Sequence, residues 1–402
     1  SLSYMHQTAI PRFKTSSDVF LPDSLQNVEK TVTQTKKASL MGVGVSPQNP
    51  SPVVALLITP NRLSYSWSKS DNYSPTYPED YTSTYTIQHT YNLAPKSEGG
   101  KFVLKKEKTD STGKGIGGEL AISYIPSKIK FQTSVVETKT HKLYSYGTIT
   151  DNFLRTLSHQ TTLQYKPINS LTSDFLMKID RDIHKEDWFN LGPPTIFGEP
   201  QRKTIHDGLH WRPIMVKWLT QNYSATSTYN ENTTSHTTAS FGQVSQIRTL
   251  KADYTVKWSD LLGKSAGGKK GGASAQGPVN FKSIARKMDN LRLSYSWNGN
   301  TTAPNLTSRP GHSFQFGLTG DPGVPSTETS EGTQRPSQKF TNKYTASTGY
   351  KFPYDIHTTA KYNLTTTRTI NTSQNTKVVE QTFPDLSTKF GFFKNLKFIK
   401  KF

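Results

Sequence analysis

Cysteine is absent from this chain of 402 residues, which excludes a disulfide framework, a thiolate metal site and a cysteine nucleophile. That fits an envelope protein that avoids stray oxidation during export, and many cytosolic proteins share the trait. Apolar residues are scarce, 32% of the chain against the about 45–50% usual in soluble domains when glycine is counted. Long apolar runs are missing. The longest, Val53 to Ile58, lies between Pro52 and Pro60 and suffices for one buried strand, far below the roughly 20 residues of a membrane helix. Helical spans are thereby excluded, while a β-barrel is not. Acidic residues are outnumbered, 29 against 49 Lys and Arg, for a net charge of +20. The chain begins at Ser1 with neither an initiator Met nor a signal peptide, and is expected to be a mature or excised piece.

Aromatic residues, by contrast, are plentiful. With 19 Tyr, 20 Phe and 6 Trp, the chain is too rich in rings to be disordered. Leu63-Ser64-Tyr65-Ser66-Trp67 returns letter for letter as Leu293-Ser294-Tyr295-Ser296-Trp297. A backbone of period two puts Leu, Tyr and Trp on one face and the serines on the other. The cleanest example is Leu250 to Trp258, where Leu250, Ala252, Tyr254, Val256 and Trp258 alternate with Lys251, Asp253, Thr255 and Lys257. That length is close to the ~9–11 residues of a tilted membrane strand. Further strands are expected at 81–91, 121–125, 129–135, 161–165, 175–179, 223–229, 314–318, 344–352 and 356–364, separated by Asn, Gly, Pro and Ser clusters. The same alternation suits a two-layer sandwich, which predicts shorter strands and closer turns.

These features predict an all-β protein, a large antiparallel transmembrane β-barrel or a wall section of one, with long loops and about 14–18 strands. The chain reads as a single β-barrel region over 1–402 with flexible insertions near 96–118, 182–210, 263–280 and 319–338. Residues 22–37 are expected to form a short helix in a long loop, 182–208 an irregular aromatic loop, and 281–288 one or two helical turns. The residues expected to face lipid are Tyr65, Trp67, Tyr254, Trp258, Tyr295 and Trp297.

No catalytic constellation, cofactor site or metal site is expected. Gly113 to Gly118 lacks the Ser or Thr after Lys114 that a phosphate loop needs, and reads as a hairpin or loop. His206 and His210 have the spacing of a helical zinc pair, but Gly208 between them breaks such a helix. Both are expected on a loop or on one face of a strand. Glu186 and Asp187 sit in a charged stretch that reads as solvated. The basic residues are spread along the chain without a recognition helix, so nucleic acid is not an expected partner.

Three stretches carry a family resemblance. Thr31–Lys37 followed by Thr59-Pro60-Asn61-Arg62-Leu63-Ser64-Tyr65-Ser66-Trp67 is the first. Tyr124-Ile125-Pro126-Ser127-Lys128-Ile129-Lys130-Phe131 is the second. The third runs from Ile284 to Ser296 and on through Pro310-Gly311 to Phe314-Gln315-Phe316-Gly317. This order of elements resembles the SprA (Sov) family, the giant outer-membrane β-barrel translocon of the type IX secretion system. Each motif is short, and the Gly/Lys-rich insertion at 263–277 departs from the family's pattern. The resemblance implies a non-enzymatic section of a protein-conducting channel in the outer membrane of a Gram-negative bacterium. It implies as partners secreted cargo proteins, plug and shuttle proteins, and outer-membrane lipid with lipopolysaccharide. The alternatives are another outer-membrane barrel (a porin or plugged transporter), for which the terminal Phe402 speaks, or a secreted β-rich adhesin module.

Overall fold

The computed structural model describes residues 1–10, 30–95, 101–105, 108–109, 115–116, 120–183, 199–213, 215–233, 242–262, 287–326, 328–329, 332–333, 336–353, 355–371 and 374–390. Fourteen strands form one antiparallel sheet in chain order, each beside its neighbours in sequence. They are β1 (Leu2–Ala9), β2 (Thr31–Val43), β3 (Asn61–Tyr73), β4 (Glu79–Leu93), β5 (Lys128–Leu143), β6 (Ile149–Ile168) and β7 (Leu171–Asp182). Then follow β8 (Glu199–Trp211), β9 (Leu219–Asn232), β10 (Gln243–Val256), β11 (Leu291–Ala303), β12 (Ser337–Phe352), β13 (Ile356–Ile370) and β14 (Asn375–Phe390). Among the described residues the strand order has two ends, at β1 and β14, and is not closed into a barrel. Every residue of these two strands is exposed. β14 carries one extra residue opposite β13, where Pro384, which has no N–H to give, lies in the bulge.

The chain clusters into two compact units, one of residues 1–95, 127–163 and 176–204, the other of 96–126, 164–175 and 205–402. In the second, a small pair joins Lys101–Lys105 to Leu120–Ser123, and Lys108–Thr109 pairs with Gly115–Ile116. Gly115 and Ile116 therefore belong to a pair of short strands, and the rest of the glycine stretch lies outside the described residues.

Several expectations are corrected. Val53 to Ile58 is not a strand. Pro52–Leu57 is a helix, α1, because Pro52 presets the first helical turn and the Ser51 hydroxyl accepts from the Val54 N–H at 3.4 Å. Thr31–Lys37 belongs to β2 rather than to a helix or loop, and 199–208 belongs to β8 rather than to an irregular loop. Residues 314–318 do not form a strand, since the helix α3 (His312–Gln315) begins just after Pro310-Gly311 and the chain then turns. β10 stops at Val256, and Trp258 opens a short helix, α2 (Trp258–Leu262), with Asp260 in its first turn. Residues 184–198, the insertion at 263–280, most of 281–288 and Phe402 lie outside the described residues.

Buried apolar side chains are few among the described residues. Five of them, Tyr229, Val244, Ala303, Leu306 and Phe314, gather at one end of β9–β11. Residues 304–326 cross this end of the sheet. The Phe314 ring meets Tyr229 edge-on with centroids 6.0 Å apart, and burying a Phe side chain contributes about 1.5–3 kcal/mol.

Candidate functional site

Residues directly opposite one another on antiparallel ladders share a face, so the register assembles rows across each unit. In the first unit one face carries Tyr91–Phe131, Leu63–His89–Thr133, Tyr65–Ile87–Val135 and Trp67–Tyr85–Glu137. Leu40 and Ala38 extend the last two rows through β2. On β4 this apolar band runs from Leu93 to Tyr85, about 26 Å at roughly 3.3 Å per residue. Leu40, Leu63, Tyr65, Ile87 and Phe131 are all exposed. Trp67 lies 6.4 Å from the Tyr85 ring, and its Nε1 donates to Ser83 Oγ at 3.4 Å.

The second unit repeats the arrangement. Its rows are Tyr254–Leu293–Ala346–Tyr362, Ala252–Tyr295–Tyr344–Leu364 and Leu250–Trp297–Asn342–Thr366. Tyr295 packs on Tyr344 with centroids 4.8 Å apart and donates its hydroxyl proton to Asn342 Oδ1 at 3.0 Å. Tyr254 meets Tyr223 edge-on at 5.8 Å. Five of the six residues expected to face lipid, Tyr65, Trp67, Tyr254, Tyr295 and Trp297, thus share the apolar face of their own unit. Trp258 does not belong to this ladder. Its indole N–H is buried without a hydrogen-bond partner in α2.

The opposite face is hydroxyl-rich and charged. In the first unit Ser64, Ser66, Ser68 and Ser70 face Gln88, Thr86, Thr84 and Thr82 across the β3–β4 ladder. In the second unit the rows read Lys251–Ser296–Lys343–Thr365 and Asp253–Ser294–Thr345–Asn363. Ser294 donates to Asp253 Oδ1 at 2.5 Å, and Lys251 pairs with Asp253 at 3.0 Å.

Charge bounds the apolar rows at one end. In the first unit the next rows are Lys69–Ser83–Lys139 and Asp71–Tyr81–His141, and Arg155 donates twice to Glu137 Oε2, at 2.8 and 3.1 Å. In the second, the rows beyond Leu250 are Ser227–Arg248–Gly299 and Tyr229–Gln246–Thr301, and residues 304–326 cap them. Thr301 and Gln338 donate to the Gly320 carbonyl at 3.1 and 3.0 Å, Gln246 donates to the Phe314 carbonyl, and Arg309 grips Glu231. Gly317 takes φ +73° with its missing Cβ directed onto Ser227, so only glycine fits there.

A groove of about 460 Å³ separates this cap from the apolar rows, with Asp207, Ser227 and Arg248 on its polar side and Leu209, Leu250 and Trp297 on the other. Asp207 Oδ1, Ser227 Oγ and Arg248 Nε are buried without hydrogen-bond partners. The Arg248 guanidinium lies over the Trp297 ring, 5.0 Å from its centroid.

His206 and His210 occupy one face of β8, as expected for a strand. Between them Asp174 reaches across, 3.6 Å from His206 Nε2 and 3.5 Å from His210 Nε2. The intervening Gly208 makes room, since a Cβ there would sit 2.6 Å from both carboxylate oxygens of Asp174. Gly208→Ala is expected to cost about 1–2 kcal/mol through this crowding, read as a lower urea midpoint. Among the described residues no group of three His, Cys, Asp or Glu side chains is placed to hold a metal ion.

The groove leaves no signal in the sequence, because Asp207, Ser227 and Arg248 come from three strands and carry no shared motif. Gly263-Lys264-Ser265-Ala266-Gly267 does have the residue spacing of a nucleophile elbow, against the expectation of no catalytic constellation, and lies outside the described residues. No known family model matches the chain, and no curated protein matches its sequence.

Proposed function

We propose that the chain is a wall section of a large outer-membrane β-barrel of a Gram-negative bacterium, passing cargo proteins to the cell surface by type IX secretion. The translocon assignment rests on the resemblance to the SprA (Sov) family. The observation that carries the membrane reading is the one-sided apolar band. Large apolar side chains stand exposed on one face of a sheet, over a strand length that, at the ~35–45° tilt of barrel strands, covers most of the ~25 Å lipid belt of an outer-membrane barrel. An exposed apolar band of this size needs lipid or protein against it. On this reading the Ser, Thr and Lys face lines an aqueous lumen, and the ladder satisfies the backbone within hydrocarbon. The ends at β1 and β14 then require further strands to complete the wall. The chain does no chemistry of its own, energy comes from elsewhere in the machinery, and partner proteins plug or gate the pore.

Expression of the chain in an outer membrane tests this. Extraction only by detergent, heat-modifiable gel migration and capture of cargo or plug proteins in pull-downs are expected. A folded monomer recovered from the aqueous fraction overturns the membrane reading. A detergent-dependent barrel that captures no cargo leaves the porin reading in place of the translocon.

A further inference from the structure

We infer that the groove between the 304–326 cap and the apolar rows of the second unit binds the zwitterionic headgroup of a phosphoethanolamine lipid. Arg248 takes the phosphate, Asp207 takes the ammonium, and the acyl chains run down over Leu250 and Leu209. This rests on the reading of the apolar face as lipid-facing.

Two opposite charges line one groove, yet Asp207 Oδ1 and Arg248 Nε have no hydrogen-bond partner. Those two atoms are sealed from solvent, but both residues line the groove, and a ligand carrying both charges, a few ångströms apart, meets each with its opposite. A purely anionic ligand leaves Asp207 facing a like charge, and a purely cationic one leaves Arg248 so. The Arg248 guanidinium lies over the Trp297 ring and against Gly320, where a Cβ would meet its Nη2, so two neighbours confine it before a ligand arrives. The apolar half of the groove, Leu209, Leu250 and Trp297, passes without a break into the Leu250–Trp297 row of the band. The ligand is therefore an amphiphile whose head is zwitterionic and whose tail follows the lipid-facing side.

The test uses the full chain in maltoside micelles, titrated with dihexanoyl-phosphatidylethanolamine, -phosphatidylcholine and -phosphatidylglycerol, with Trp fluorescence as readout. Phosphatidylethanolamine is expected to bind saturably and at least about fivefold more tightly than the other two. The trimethylammonium of the choline lipid cannot donate a hydrogen bond to Asp207, and the glycerol lipid has no cation. Arg248→Gln is expected to weaken binding about tenfold, and Asp207→Asn to erase the preference over phosphatidylglycerol. Trp297→Phe is expected to remove most of the signal, which places the event at the groove. Equal affinity for the three lipids in the unmodified protein overturns the proposal, a comparison that needs no variant to fold. So does glycerophosphoethanolamine competing as strongly as the lipid, since the tail would then contribute nothing. A chain that stays monodisperse without detergent overturns the membrane reading instead, and is seen before any titration.

Discussion

Leu293→Arg is expected to lower the stability of the chain in lipid by about 2–4 kcal/mol, whereas Thr345→Arg is expected to change it by less than about 0.5 kcal/mol. The two positions lie on adjacent strands but on opposite faces. Leu293 stands in the row Tyr254–Leu293–Ala346–Tyr362, and Thr345 in the row Asp253–Ser294–Thr345–Asn363. An arginine in the first row must carry its charge into hydrocarbon or bend its stem to the interface. In the second row it joins a face that already holds Arg292, Lys343 and Lys361 beside hydroxyls. Leu293 is 39% exposed, so in water an arginine there would fill no space and cost almost nothing. The contrast between the variants therefore reports the solvent on the apolar face. Urea titration in phospholipid vesicles, followed by Trp fluorescence, measures it. Equal stabilities for the two variants would sink the lipid-facing assignment.

The alternation that sets these faces was legible in the sequence because period two is a property of adjacent residues. Leu63 to Trp67 and Leu293 to Trp297 announce their faces without knowledge of any partner. Strand ends were less legible. β6 runs from Ile149 to Ile168, although only Thr161 to Tyr165 shows clean alternation, because the rest is held by ladder hydrogen bonds and cross-strand pairs such as Arg155 with Glu137. β2 and β8 escaped notice because their polar residues, Thr31 to Lys37 and Gln201 to Thr204, look like loop until a neighbouring strand supplies the pairing. Trp258 kept the two-residue period on paper. The turn into α2 after Lys257, whose N–H donates to the Trp218 carbonyl at 2.8 Å, took it off the ladder. Residues 314–318 failed for the opposite reason. Phe314 and Phe316 alternate, but Pro310-Gly311 starts a helix, and Phe314 is worth more buried against Tyr229 than on a strand. The groove was illegible in principle, since its polar groups meet only through the pairing of β8, β9 and β10 and the return of the cap.

With few side chains fully buried among the described residues, the sheet draws its order mainly from the ladder, with one local exception. Backbone hydrogen bonds contribute only about 0.5–1.5 kcal/mol each in water, where an unpaired group has a ready alternative partner. In hydrocarbon that alternative disappears, and each ladder bond becomes far more expensive to break. On the membrane reading the same fourteen strands that would be marginal as a single layer in water become cooperative in lipid. The exception is the capped end of the second unit, which has its own small core and its own ion pair.

That ion pair gives the second large effect, because Arg309→Met is expected to destabilise the capped end by about 3 kcal/mol. The Glu231 side chain is 1% exposed and the Arg309 side chain 40%, so the arginine reaches in from water to neutralise a carboxylate that water cannot reach. Arg309 Nη2 donates to Oε1 at 2.7 Å, and Nε approaches Oε1 and Oε2 at 3.2 and 3.1 Å. The buried Tyr229 hydroxyl supplies a further donor to Oε2 at 2.9 Å. Methionine preserves much of the stem's packing but leaves the charge without a counter-ion. The exposed half of Arg309 loses little by itself, since ion pairing in water is weak. The cost sits almost wholly on Glu231. Glu231→Gln removes that charge while its amide oxygen still accepts from Tyr229, so the double variant Arg309→Met/Glu231→Gln is expected to recover most of the loss. A double-mutant cycle on the rate of chymotryptic cleavage after Phe314 and Phe316 reads the coupling, expected at about 2 kcal/mol or more. Additive effects, or an Arg309→Met cap as resistant to cleavage as the unmodified one, would show that packing by Phe314 holds the cap and that the ion pair is incidental.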